Sequence, residues 1–225
     1  DAESTLLAAA ELAEANHHDD LAADIWLDLV HLANRHLSDP TRGTAWISRA
    51  RASQRRLGDP PTRRIQVLNE EGFVHTLARD TDAALHTLRG ALALHGQVGG
   101  DPRTLAKLTN NLANALWAAG LAAEARASHE QSLAAVEAAY GPDHPETAAV
   151  LHDIALRRIT LGELDAAELR LRRALSIYTR AFGEIHHLTG RIHIALVELS
   201  LRREAFTQAF VMTQGGPNDS TRFYM

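Results

Sequence analysis

Four glycines set a period along this chain. Gly58, Gly100, Gly141 and Gly183 are 42, 41 and 42 residues apart, and each stands just ahead of a helical pattern: GDPPTRR, GDPRTLA, GPDHPETA and GEIHHLTG. A second marker follows the same beat: Ala91-Leu92, Ser132-Leu133 and Ala174-Leu175 are 41 and then 42 residues apart. A period of this length means a stacked array, in which each unit buries its apolar face only against its neighbours. One central core is thereby excluded.

Within a unit the apolar residues recur at three and four. Leu105, Leu108, Leu112, Ala115 and Leu116 share one face, as do Leu171, Ala174, Leu175 and Tyr178. No strand-like alternation is long enough to defend. The breaks ARDTDAA, AAGLAAEA and TLGELDAAE split each unit into two helices. The pattern predicts a helix at about 2–16, then pairs at 20–36 with 41–57, 63–78 with 81–96, 103–119 with 122–140, and 145–161 with 164–181. A helix at about 187–202 opens a further pair, whose partner begins at Glu204–Phe210. The expected organisation is an N-terminal helix at 1–18, an array of four pairs and a truncated fifth at 19–210, and a tail at 211–225.

Only 5% of the 225 residues are aromatic, so the core is built from small, helix-favouring side chains. A net charge of -5 and a pI near 6.2 argue against a general nucleic-acid binder. With no cysteine, disulfides and thiolate chemistry are excluded. No apolar run approaches the ~20 residues that span a bilayer, so a membrane is not expected as a partner. No signal-peptide pattern appears, and the expected location is cytoplasmic. The chain opens at Asp1 without a methionine and reads as a piece excised or processed from a longer protein.

The segment with the most chemical look is GPDHPE, where Asp143, His144 and Glu146 fall within four positions. Its punctuation is structural. Gly141 suits a left-handed helix end, Pro142 cannot continue the helix, and Pro145 suits the first turn of the next. Glu146 then sits where a helix N-terminus favours negative charge. His144 aligns with His186 one unit later while Asp143 aligns with Ile185, so the acid of a supposed catalytic loop does not recur. Among thirteen histidines, the adjacent pairs His17-His18 and His186-His187 point about 100° apart on a helix and do not chelate one ion by themselves. No HExxH, G-x-S-x-G or phosphate-cradling glycine loop is present. The expectation is therefore no catalytic residue, no metal and no cofactor. Trp26, Trp46 and Trp117 read as packing residues.

The informative constellation is polar. Lys107, the single lysine, with Asn110, Asn111 and Asn114, forms a stripe opposite the Leu face of its helix. Asparagine offers both a donor and an acceptor, so it can grip a peptide backbone without demanding a sequence, and Lys107 adds attraction for a carboxylate. The equivalent positions in neighbouring units are Gln66, Asn69, Glu70 and Phe73 on one side, and His152 and Asp153, with Arg191 further on, on the other.

Leu112-Ala113 and Ile154-Ala155 in the first helices, with Ala84, Ala125 and Ala167 followed by Ala91, Ser132 and Ala174 in the second, resemble the tetratricopeptide repeat. The ~42-residue period, longer than the usual ~34, together with GPDHPETA is similar to the kinesin-light-chain-like subclass. LGDPPTRRIQVLNEEGFVHTL is similar to bacterial arrays attached to serine/threonine kinases. The resemblance implies an all-α, right-handed superhelical solenoid of antiparallel helix pairs. It also implies a non-catalytic scaffold that holds a protein or peptide ligand in a groove lined by the first helices. That groove would include Gln66, Asn69, Phe73, Lys107, Asn110, Asn111, Asn114, His152, Asp153 and Arg191. The parent would be a larger signalling protein, with a spacer or self-association module as the alternative. Glu71 and Arg158 depart from the repeat pattern, and each calls for a wet edge or a polar partner. The tail VMTQGGPNDSTRFYM resembles a short loop of sugar-type ABC transporter permeases. It reads as a fused peptide, as a divergent native end, or as a segment bearing Arg222, Phe223 and Tyr224 that docks in a groove and mediates self-association.

Overall fold

The computed structural model describes residues 2–214, with side chains described for 2–34 and 37–205. Every regular element among them is helical: α1 Ala2–Ala15, α2 Asp19–Leu32 closing in a π-turn at Ala33–Leu37, α3 Pro40–Arg56, α4 Pro61–Leu77 and α5 Thr81–Val98. These are followed by α6 Pro102–Ala118, α7 Ala122–Tyr140, α8 Pro145–Thr160, α9 Leu164–Phe182 and α10 His187–Gln214. The fold is an all-α helical-repeat solenoid in which consecutive helices pack as pairs. It comprises two compact units, one from Asp1 to Gly141 and one from Pro142 onward.

Local chemistry explains where the helices start. Pro40, Pro61, Pro102 and Pro145 occupy first turns, where a missing N–H costs nothing. The Asp39 and Asp101 carboxylates accept from the backbone N–H groups two and three residues on. In α8 the same role falls to His144, whose Nδ1 accepts from Glu146 N at 3.2 Å. At the next repeat, His186 Nδ1 accepts from Leu188 N at 3.4 Å. The histidine that recurs in the repeat is a cap.

The turns inside the pairs share one backbone state. Arg79, Gly120 and Gly162 all have positive φ, at 61°, 77° and 78°. Only the first carries a side chain there, where an L-residue is strained. A Cβ at Gly120 would meet nothing within 4 Å, so its effect is purely conformational. Gly120→Ala is expected to cost about 1 kcal/mol and Arg79→Gly to stabilise by up to about that amount, read from urea midpoints.

In the first unit, Ala22, Leu29, Val30, Ala33 and Ala50 are fully buried between α2 and α3, with Trp26 and Trp46 closing the cluster. Ala84, Leu88, Ala115, Leu116 and Ala125 form the next layer, with Trp117 half-buried against it. In the second unit Leu151, Ala155, Ala167, Leu171, Ala174 and Ile192 are fully buried. The expected small positions Ala84, Ala91, Ala125, Ser132, Ala167 and Ala174 all have zero exposure, as close helix crossings require. Both departures have polar partners. Glu71, 7% exposed, is paired with Arg51 and lies 3.8 Å from His75 Nε2. Arg158 Nη1 reaches Glu163 Oε2 at 2.9 Å.

Two expectations change. Gly141 and Gly183 do have positive φ, but their ψ values of 161° and 173° are extended rather than left-handed helical. The chain thus leaves each helix through a backbone region essentially reserved for glycine. In addition, α10 runs unbroken from His187 to Gln214, so no turn near residue 203 starts a second helix of a fifth pair. Arg202 and Glu198, paired one turn apart at 3.0 Å, support the helix through that point. Residues 211–214 belong to this helix, and the rest of the tail, with Arg222, Phe223 and Tyr224, lies outside the described residues.

Candidate functional site

A cavity of about 520 Å³ opens in the first unit and is lined by the first helices of three successive pairs. Asp24, Leu27, Asp28 and His31 come from α2, Gln66, Asn69 and Glu70 from α4, and Thr104 and Lys107 from α6. The stagger of these residues at three and four places one polar stripe per helix on the same wall. A second cavity of about 470 Å³ lies against α3, α4 and α5, but its Arg51, Glu71 and Arg64 are already paired among themselves or with Asp59.

The polar groups lining the first cavity differ in how they are held. Asp24 is neutralised by Arg63 Nη1 at 2.5 Å. Both Glu70 oxygens are fixed by amides: Oε2 accepts from Asn34 Nδ2 at 3.1 Å, and Oε1 from Asn69 Nδ2 at 3.2 Å. Asn34 also donates to the Glu70 backbone carbonyl at 3.3 Å. Asn69 in turn accepts from Asn111 Nδ2 at 3.0 Å. This relay ties the π-turn after α2 to α4 and α6. By contrast, Gln66, Asp28 and Lys107 make no side-chain hydrogen bond or ion pair among the described residues.

The predicted site residues divide accordingly. Gln66 and Lys107 are exposed on the cavity wall, and Asn69 lines it while 94% buried. Asn111, 1% exposed, is not available to a ligand. Its place is the buried relay, because the adjacent helix pair covers that side of α6, and it positions Asn69 instead. Phe73, Asn110 and Asn114 are half-buried further along α4 and α6, away from this cavity. In the second unit, His152, Asp153 and Arg191 lie within electrostatic reach of one another. Burial holds the His152 imidazole below its usual range; Asp153 opposes this and Arg191 adds to it. Burial also pushes the neighbouring Tyr178 phenol up to about 12, with Arg191 pulling it down and Asp153 and Glu146 pushing it further up.

The GPDHPE segment is held by its own unit. Arg180 Nη2 reaches Asp143 Oδ1 at 2.9 Å, and Arg173 Nη2 donates to the Pro142 carbonyl at 2.8 Å. Asp143 is thereby an exposed ion-pair partner that fastens the loop to α9. Among the described residues, no group of three or more His, Asp or Glu side chains is arranged to hold a metal. No described helix is long and apolar enough to cross a membrane.

Sequence reasoning missed the α2 wall. Asp24, Asp28 and His31 continue a stripe from Asp20 at four, four and three residues, opposite Ile25 and Leu29. That spacing is present in the sequence, but the first pair lacks the glycine marker that precedes the later ones.

The helix-pair geometry with alanine crossings has a counterpart among known families. Residues 103–180 match the family described as tetratricopeptide repeat. Over these residues the chain is similar to tetratricopeptide repeats. Helices α6 to α9 supply the matched pairs, and the same small crossing position recurs at Ala84 outside the match. A search of curated proteins found no match. Among solved structures, the chain is similar to the crystal structure of BtubC (BKLC) from P. vanneervenii, with a TM-score of 0.66 and 15% identity over 99% of this chain and 94% of that one. At that identity the likeness is one of fold.

Proposed function

We propose that the chain is a non-catalytic tetratricopeptide scaffold that holds an extended peptide or partner segment in the cavity lined by α2, α4 and α6. One observation carries the reading. Lys107, Gln66 and Asp28 face a cavity of ligand size and have no partner among the described residues, while the residues behind them are rigidly paired. Side chains that are poised but unused suit recognition, because binding then replaces only water contacts. Repeats of this kind generally mediate protein–protein contacts. The ~42-residue period favours the kinesin-light-chain-like subclass, and we read the module as a regulatory part of a larger bacterial signalling protein.

The test is a pull-down or peptide-array screen comparing the wild-type chain with Lys107→Ala/Gln66→Ala. Peptides held in the cavity should lose about tenfold in affinity, the expected cost of one charge-assisted and one neutral hydrogen bond at a partly wet site. Equal binding by both proteins would remove the assignment and favour a spacer.

A further inference from the structure

The cavity has a charge preference that follows from how its carboxylates are held. Glu70 is clamped at both oxygens by the amides of Asn34 and Asn69, which are 2% and 6% exposed. It has no cationic partner among the described residues. Neutral amide donors orient a carboxylate without cancelling its charge. Asp28, on the facing helix, is exposed and likewise unpaired. Asp24 is set aside, because Arg63 already compensates it. Two uncompensated carboxylates therefore stand against a single ammonium, Lys107, around a space of about 520 Å³.

We infer that the cavity selects a segment carrying a basic side chain, arginine or lysine, which enters between Glu70 of α4 and Asp28 of α2. This rests on the peptide-binding reading and adds the chemistry of the ligand to it. Arginine suits the position well, since its planar fork of donors can engage two carboxylates while its stem lies along Leu27. Lys107, on α6, repels a second cation at its own wall and donates to a carbonyl or carboxylate oxygen of the same segment. The preferred ligand is therefore one basic residue next to a neutral or acidic one, not a polybasic run. A wall of this sign also speeds encounter with such segments and weakens with salt.

The experiment uses the whole chain and a library of short synthetic peptides that carry Arg, Lys, Ala, Asp or Glu at one central position. Arg and Lys peptides should be retained over Ala, Asp and Glu peptides, and less strongly in high salt. Asp28→Asn should weaken that retention about tenfold, as loss of a partly desolvated charge pair predicts. Asp28 has no partner among the described residues, so this variant is expected to fold as the wild type does; Glu70→Gln, which disturbs the amide clamp, is the companion. Selection of acidic or neutral peptides that respond to Lys107→Ala but not to Asp28→Asn would overturn the basic-segment inference and leave the groove reading standing. Peptides indifferent to Lys107, Gln66 and Asp28 alike, or no retained peptide at all, would overturn both.

Discussion

Gly72→Val is expected to destabilise the first unit by about 2–3 kcal/mol, because α4 and α5 touch at this residue with no space for a side chain. A Cβ placed on Gly72 would collide with Leu88 Cγ and lie 2.7 Å from its Cδ2, and the three nearest atoms all belong to that one leucine. Leu88 is fully buried and cannot swing into solvent. Leu88→Ala alone should cost about 3 kcal/mol through lost burial and the void left behind. The double variant is the decisive one. The new valine fills the space the leucine vacates, so the two costs should fall short of their sum by about 2 kcal/mol in a urea-denaturation cycle. Strict additivity would show that the Leu88 contact does not set this crossing.

Arg51→Ala should cost about 2 kcal/mol, whereas Glu71→Leu should leave stability within about 1 kcal/mol of the wild type or raise it. The asymmetry follows from burial. The Glu71 side chain is 10% exposed, where this repeat usually places an apolar residue, and the Arg51 guanidinium, 45% exposed, is its main partner. Removing Arg51 leaves a buried carboxylate whose one remaining charged neighbour among the described residues is His75, at 3.8 Å. Replacing Glu71 instead restores the apolar contact and releases Arg51 to water, where it is well solvated. Comparable losses from both substitutions would mean that the pair itself, and not the desolvated acid, governs the site.

Much of this fold was legible because its causes are local. Prolines at first turns, aspartates at N-caps and a leucine every three or four residues act within one helix, and they placed helix boundaries to within a few residues. The fifth pair failed on the same logic. A split near 203 was expected from the rhythm alone, yet LRREAF contains no glycine, proline or cap to stop a helix, and α10 continues. His144 was placed correctly in structural punctuation, but its role as the cap needed the geometry of Nδ1 against Glu146 N.

The candidate site divides along the same line. The exposure of Lys107 and Gln66 was legible from spacing, since a polar stripe opposite an apolar one identifies the face that leaves the core. Asn110 and Asn111 could not be separated that way. Adjacent helical residues differ by about 100° in direction, and which of the two is covered depends on where the neighbouring pair packs. The sequence by itself determined the helices, their pairing period and the small residues at their crossings, because those depend on contacts within a repeat. Tertiary structure alone decided that Asn111 belongs to a buried relay, that Asn34 and Asn69 clamp Glu70, and that Asp28 faces Lys107 across a cavity. Apart from the adjacent Asn69 and Glu70, those relations join residues 36 or more positions apart, and only the stacking of one pair on the next brings them together.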